Sequence, residues 1–301
     1  MLPSPRDIVV GASDLERAAD FLALFGFAEH AGGTLPAAAA KALYGLDGPA
    51  EELVMAVPGA DRGRVRCVAT PIPPRRFAPF DARPFALDLF ATDIEASIAL
   101  ATGAGWHSSP VTDHRFGPVL IREVEITGPD GVIVTLLQPS AGRRSSILDR
   151  EPDRLHSEVH AFVWSAAGLD DLLPYWKERG LELTTDAVLN TPGLGALVGV
   201  PDEEVAMRLT VLADPEGRPV RVEYVEFVGK PSASHPGLPL AAGLHAPAFE
   251  VADLDAVLQK LAPATVGEVV ELDTPLHPGT RAVVATTPGG QCFEVWEGEQ
   301  S

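Results

Sequence analysis

The sequence predicts an α+β fold made of four βαβββ modules paired into two domains. Three observations carry that reading. A short apolar strand followed by an aspartate and an amphipathic helix recurs four times, with the aspartates at Asp14, Asp93, Asp170 and Asp253. A Pro/Gly turn precedes the last strand of the later copies, at Gly128-Pro129-Asp130-Gly131, Asp214-Pro215-Glu216-Gly217 and Thr287-Pro288-Gly289-Gly290. The chain of 301 residues carries 28 Pro and 28 Gly, which favours many short strands joined by turns over long helices.

The opening strands are expected at Asp7–Ala12, Phe85–Ala91, Val159–Ser165 and Leu244–Val251. Each following Asp suits a helix N-cap or first turn, where its carboxylate accepts backbone N–H groups and meets the positive end of the helix dipole. Pro early and Gly late is the chemistry of tight turns. The first unit's equivalent, around Pro58 to Gly63, is looser. Pro71–Pro84 reads as the joint between units one and two, and Gly229–Leu240 as that between three and four. The polar stretch Pro139–Leu155 divides the chain into halves. A unit of about 70 residues buries too little surface to stand alone, so pairing is required. The expectation is a domain over residues 1–140 and another over 155–301.

Composition bounds the function. The formal charge of -19 argues against a nucleic-acid surface or an anionic membrane. The apolar runs are short and broken by Asp, Pro or Gly, so none spans a bilayer. The first ten residues lack the basic and apolar regions of a signal peptide. Two cysteines, Cys67 and Cys292, do not make a disulfide framework, and a cytoplasmic setting is expected.

Three strands each carry one polar side chain among apolar ones: His160 in Glu158–Trp164, His245 in Gly243–Val251, and Glu294 in Gly289–Trp296. An inward polar group on a strand needs a partner, and a metal ion is one. Two histidines and a carboxylate are the facial set of a non-haem iron site. Positions eight before Asp14 and Asp93 are Arg6 and Phe85, and Thr135 lies four after Gly131, so no ligand set is expected in the N-terminal half. By alternation, Trp164, Phe249, Cys292 and Trp296 share the ligand face and would line an aromatic pocket. His235 and His277, both beside Pro-Gly, are the candidates for acid–base work. His30, His107, His114 and His156 read as loop residues.

The repeated unit, the Asp-started helices and the Pro-x-Gly turns resemble the vicinal oxygen chelate superfamily, which includes glyoxalases, bleomycin-resistance proteins and extradiol dioxygenases. The resemblance covers nearly the whole chain. It implies curved mixed sheets enclosing a cavity, with ligands on the first and last strands of paired units. The four-unit length is similar to two-domain extradiol dioxygenases, whose N-terminal domain carries no metal. It implies Fe(II), or else Mn(II), held by His160, His245 and Glu294, and cleavage of a small aromatic compound by dioxygen. The tyrosine such enzymes use in their last unit is missing, since the tyrosines are Tyr44, Tyr175 and Tyr224.

Two other readings stay open. Glu223, two beyond Arg221, would supply a fourth ligand and a glyoxalase-like isomerase or lyase using Zn(II) or Ni(II). A metal-free protein that sequesters a small molecule, as resistance members do, is the third. Edge strands in such sheets can pair between copies, so a homo-oligomer is compatible with all three.

Overall fold

A computed structural model describes residues 1–116, 118–235 and 237–298. The first unit comprises β1 (Asp7–Ala12), α1 (Leu15–Ala23), β2 (Ala28–Leu35), α2 (Ala37–Tyr44), β3 (Ala50–Ala56) and β4 (Arg64–Ala69). The second comprises β5 (Arg83–Ala91), α3 (Ile94–Gly103), β6 (His107–Ser108), β7 (Thr112–Phe116), β8 (Val119–Thr127) and β9 (Ile133–Pro139). A short helix, α4 (Ser146–Arg150), precedes the third: β10 (His156–Ser165), α5 (Leu169–Glu178), β11 (Glu182–Leu189), α6 (Leu194–Leu197), β12 (Met207–Ala213) and β13 (Arg221–Phe227). The fourth comprises β14 (Gly243–Val251), α7 (Leu254–Leu258), β15 (Thr265–Val266), β16 (Val270–Leu272), β17 (Thr280–Thr286) and β18 (Cys292–Glu297).

The repeated aspartates act as expected. The carboxylates of Asp14, Asp93 and Asp253 accept the backbone N–H of Arg17, Ala96 and Ala256. In the third unit Gly168, with φ of 69°, caps the helix and Asp170 falls in its first turn. The polar divider is not plain linker: Glu158 accepts from the Ser145 hydroxyl and the Ser146 backbone, anchoring α4 and burying Ile147 and Leu148. His156 lies in β10 and His114 in β7, both buried, so neither is a loop residue.

The chain forms two nine-stranded mixed sheets. The first runs β15–β17–β18–β14–β1–β4–β3–β2, and the second β11–β12–β13–β10–β5–β9–β8–β6, with β16 and β7 added on β17 and β8. Unit one therefore pairs with unit four, through antiparallel β1 and β14, and unit two with unit three, through β5 and β10. This corrects the expected division at residues 140–155, because each sheet draws on both halves. The physical reason is visible in the two joints, which lie side by side. Ala82 pairs with Ser234, the Thr70 hydroxyl donates to the Leu240 carbonyl, and the Ala242 N–H donates to that of Ile72.

One core lies between the sheets and collects residues from all four units, among them Ile8, Phe21, Leu87, Leu89, Phe162, Trp176, Phe249 and Phe293. The opposite faces carry separate clusters: Val9, Tyr44, Ala246, Val284, Cys292 and Trp296 on the first sheet, and Ala86, Val163, Leu209, Val211 and Val225 on the second. Strand alternation produces this split. Val65 and Cys67 face the core, as do Phe293 and Val295, which turns Arg66 and Glu294 to the other side. Among the described residues no helix is long and apolar enough to cross a membrane.

Candidate functional site

On the first sheet Arg66, Glu294, Glu52, Tyr44, Trp296 and His277 form a closed polar network. The Arg66 guanidinium donates to the Glu294 carboxylate through Nη2, and through Nη1 to the Tyr44 hydroxyl at 2.8 Å and Glu52 at 3.2 Å. Trp296 donates its indole N–H to Glu294 at 2.6 Å, and the guanidinium lies 4.3 Å from the Trp296 ring centre. His277 closes the ring, with Nε2 2.9 Å from Glu52 and its imidazole 4.6 Å from the Trp296 ring. Arg66, Glu52 and Glu294 are each at most 1% exposed. A charge so buried persists only when paired and hydrogen-bonded. Burial alone would lower the pKa of Arg66; Glu294, Tyr44 and Glu52 outweigh it and hold the guanidinium well above its ordinary value.

His277 is the member that reaches the surface, 12% exposed, on the wall of an open groove of about 980 Å³. Val54, Ala248, Thr280 and Trp296 also line this groove. Its volume is that of a drug-sized ligand site.

The second sheet carries an acidic cluster where the first carries the arginine. Asp88 on β5 pairs in register with Ala161 on β10 and Thr135 on β9, and Glu223 sits on β13 opposite Val163. Burial, then Glu223 and Glu123, push the Asp88 carboxyl well up. Burial and Glu123 raise Glu223 to about 8, and the same two causes raise Glu125 to about 8. His160 lies beside this cluster, with the Arg221 guanidinium 2.6 Å from Nδ1 and the Phe90 ring 4.1 Å away. Burial, then Arg221, press its pKa well below the ordinary value.

The three expected metal ligands are thus not brought together. His245 and Glu294 share the first sheet, whereas His160 belongs to the second. Among the described residues Glu294 Oε1 and His245 Nε2 are each buried without a partner, as ligand atoms would be, yet the guanidinium of Arg66 already lies on the Glu294 carboxylate. Two donors beside a fixed cation do not suit a divalent metal. Among the described residues no three His, Cys, Asp or Glu side chains converge as a ligand set. Glu223 is likewise on the other sheet from His245 and Glu294, which removes the four-ligand arrangement.

The remaining candidates scatter. Cys292 and Trp296 do share the face of Glu294, and the Cys292 thiol is buried and pushed up in pKa, chiefly by desolvation. Phe249 is a core residue packed on Trp176 and Phe293: the register shift between Val9 and Val10, opposite Leu244 and Ala246, breaks the alternation expected to give it the face of His245. Trp164 packs in the same core and also lines a second cavity. His277 joins the network above; His235 instead pairs with Asp81 at 2.8 Å, near that second cavity. Arg66 and Asp88 were missed. Each is a charged residue with apolar neighbours on both sides within a strand, the same signal that singled out Glu294.

No family model matches the sequence, and no curated protein matches it. Solved structures do. Glyoxalase I from Zea mays superposes with a TM-score of 0.64 at 12% identity, over 98% of this chain and 92% of that one. A Bacillus subtilis protein provisionally designated a dioxygenase superposes with a TM-score of 0.62, also at 12% identity, over 100% of this chain and 86% of that one. Four βαβββ units in two curved nine-stranded sheets, matched over nearly their whole length, give this chain the fold of glyoxalase I from Zea mays.

Proposed function

We propose that the chain is a metal-independent small-molecule-binding protein, with its ligand in the groove beside His277 and Trp296. The observation that carries this is the Arg66 guanidinium on Glu294. Among the first and last strands of units one and four, where the resemblance puts a metal, a built-in cation already neutralises the carboxylate. The groove offers the Trp296 ring and an imidazole among the charged side chains of Arg6, Asp7, Arg64, Glu250 and Glu297, a combination suited to a polar, ring-bearing organic molecule. An iron(II) dioxygenase acting on an aromatic compound would need His160 beside His245 and Glu294, and separate sheets carry them.

The test pairs metal content with ligand titration. Protein loaded anaerobically with iron(II) and desalted is expected to retain no iron, while uncharged phenols quench tryptophan fluorescence saturably, a response lost in Trp296→Phe, and His277→Ala weakens that binding about tenfold. Stoichiometric iron that disappears in His245→Ala, together with oxygen uptake on catechols, would sink the proposal in favour of the dioxygenase.

A second reading has its own support. His277 and Glu52 form an imidazole–carboxylate pair at 2.9 Å, the geometry that fixes a general base. Turnover of a groove ligand, lost in Glu52→Gln with binding kept, would mark the protein as an acid–base enzyme.

A further inference from the structure

A cavity of about 460 Å³ lies away from the groove, where the joint between units one and two meets that between units three and four. Phe77, Arg83, Phe85, Trp164, His235 and His245 line it. Both sheets contribute: Trp164 stands opposite Pro84 on the central strands of the second, and His245 lies on β14 of the first.

Its polar atoms are not self-sufficient. Among the described residues the Trp164 indole N–H has no partner, and Trp164 is only 4% exposed. The Arg83 Nε–H is also buried with no partner among the described residues, and so is His245 Nε2. An indole N–H and a guanidinium N–H can only donate, so both call for an acceptor. The carboxyls that act on Arg83 do not hold it: Glu125, the strongest of them, makes no ion pair with it among the described residues, and burial raises its pKa to about 8. Asp81 is taken by His235 and by the Ala78 N–H, and Asp130, which lines the cavity, by the Ser13 N–H and hydroxyl. The Arg83 guanidinium is instead framed by aromatic rings, 5.3 Å from Phe77 and 4.9 Å from Phe85. Buried orphan donors, a cation with no carboxylate in ion-pair distance among the described residues and flanking rings describe a receptor for a flat anion.

We infer that this junction cavity binds a small aromatic carboxylic acid, its carboxylate accepting from Trp164 Nε1 and Arg83 Nε while its ring lies between Phe77 and Phe85. The neutral His245 imidazole, whose pKa burial lowers to about 3, can complete the polar wall without adding charge. This site is separate from the groove and does not depend on its occupant.

The indole signals of the full chain in a ¹H–¹⁵N spectrum test it, because the four tryptophans give four such signals. Loss of one signal in Trp164→Phe assigns it. Added benzoate is expected to move the Trp164 signal saturably and to leave Trp296 in place. Benzamide, lacking the charge, should bind at least tenfold more weakly, and Arg83→Gln should weaken benzoate at least tenfold. The other indole signals, unchanged in each variant, report that the fold is intact. A Trp164 signal that stays put at millimolar benzoate, or moves equally in Arg83→Gln, overturns the inference, as does a shift confined to Trp296.

Discussion

Arg66 and Glu294 are 228 positions apart in the chain, yet they form a buried ion pair across the middle of one sheet. Replacing a single partner strands the other charge. Arg66→Met is expected to cost about 3–5 kcal/mol of stability, because Glu294 and Glu52 lose their shared cation. The double variant Arg66→Met/Glu294→Gln should recover part of that loss. Urea unfolding of the three proteins measures both; a single-variant cost below about 1 kcal/mol would contradict the pairing.

Glu223 makes stability depend on pH. Its ordinary value is 4.5 and its folded value about 8, raised by burial and by Glu123. Between those values the folded chain keeps a proton that the unfolded chain releases. Its contribution is therefore fully present below about pH 4.5 and is lost as pH rises toward 8. Glu223→Gln keeps the shape without the titration, so its melting temperature should fall less than that of the parent between pH 5 and 8. Parallel curves would show that Glu223 is ionised in the fold.

Because each sheet spans both halves, one cut in the divider should not separate them. A chain cleaved between Ala141 and Gly142 is expected to run as one species on gel filtration under native conditions. The β1–β14 and β5–β10 pairings hold the fragments together. Two peaks of half size would refute that architecture.

The packing of unit one on unit two can be probed at Gly128. A Cβ there would press on the ring of Phe21, a core residue 1% exposed on α1. The backbone at Gly128, φ of -100°, is open to any residue, so the effect is one of space alone. Gly128→Ala should destabilise by about 1–3 kcal/mol in thermal or urea unfolding. Gly128→Ala combined with Phe21→Leu should cost less than the sum of the two singles, and strict additivity would place the ring elsewhere.

The units were legible in the sequence because their signals are local. An N-cap aspartate acts within three residues, as Asp14 does on Arg17, and a Pro-Gly turn within four. Alternation also placed Cys292, Glu294 and Trp296 on one face, since a strand repeats every two residues. Which units pair is not local: it depends on β1 finding β14 rather than β5, and all three are short apolar strands. That choice is what parted His160 from His245. Arg66 escaped notice for a different reason. A lone arginine between Val65 and Cys67 carries the same message as a lone glutamate between Phe293 and Val295, but it speaks for a buried ion pair and not for a ligand.

The nesting of units two and three inside one and four also sets an order of assembly. Gly11 on β1 is paired with Gly243, which leaves the ribosome more than two hundred residues later. At typical elongation rates that interval is roughly 10 to 50 s. Throughout it the inner sheet can close on itself, while the apolar strand Asp7–Ala12 waits with one edge unpaired. The amino-terminal unit is thus the part of the nascent chain most in need of shelter, and the last strands to be synthesised are the ones that end its exposure.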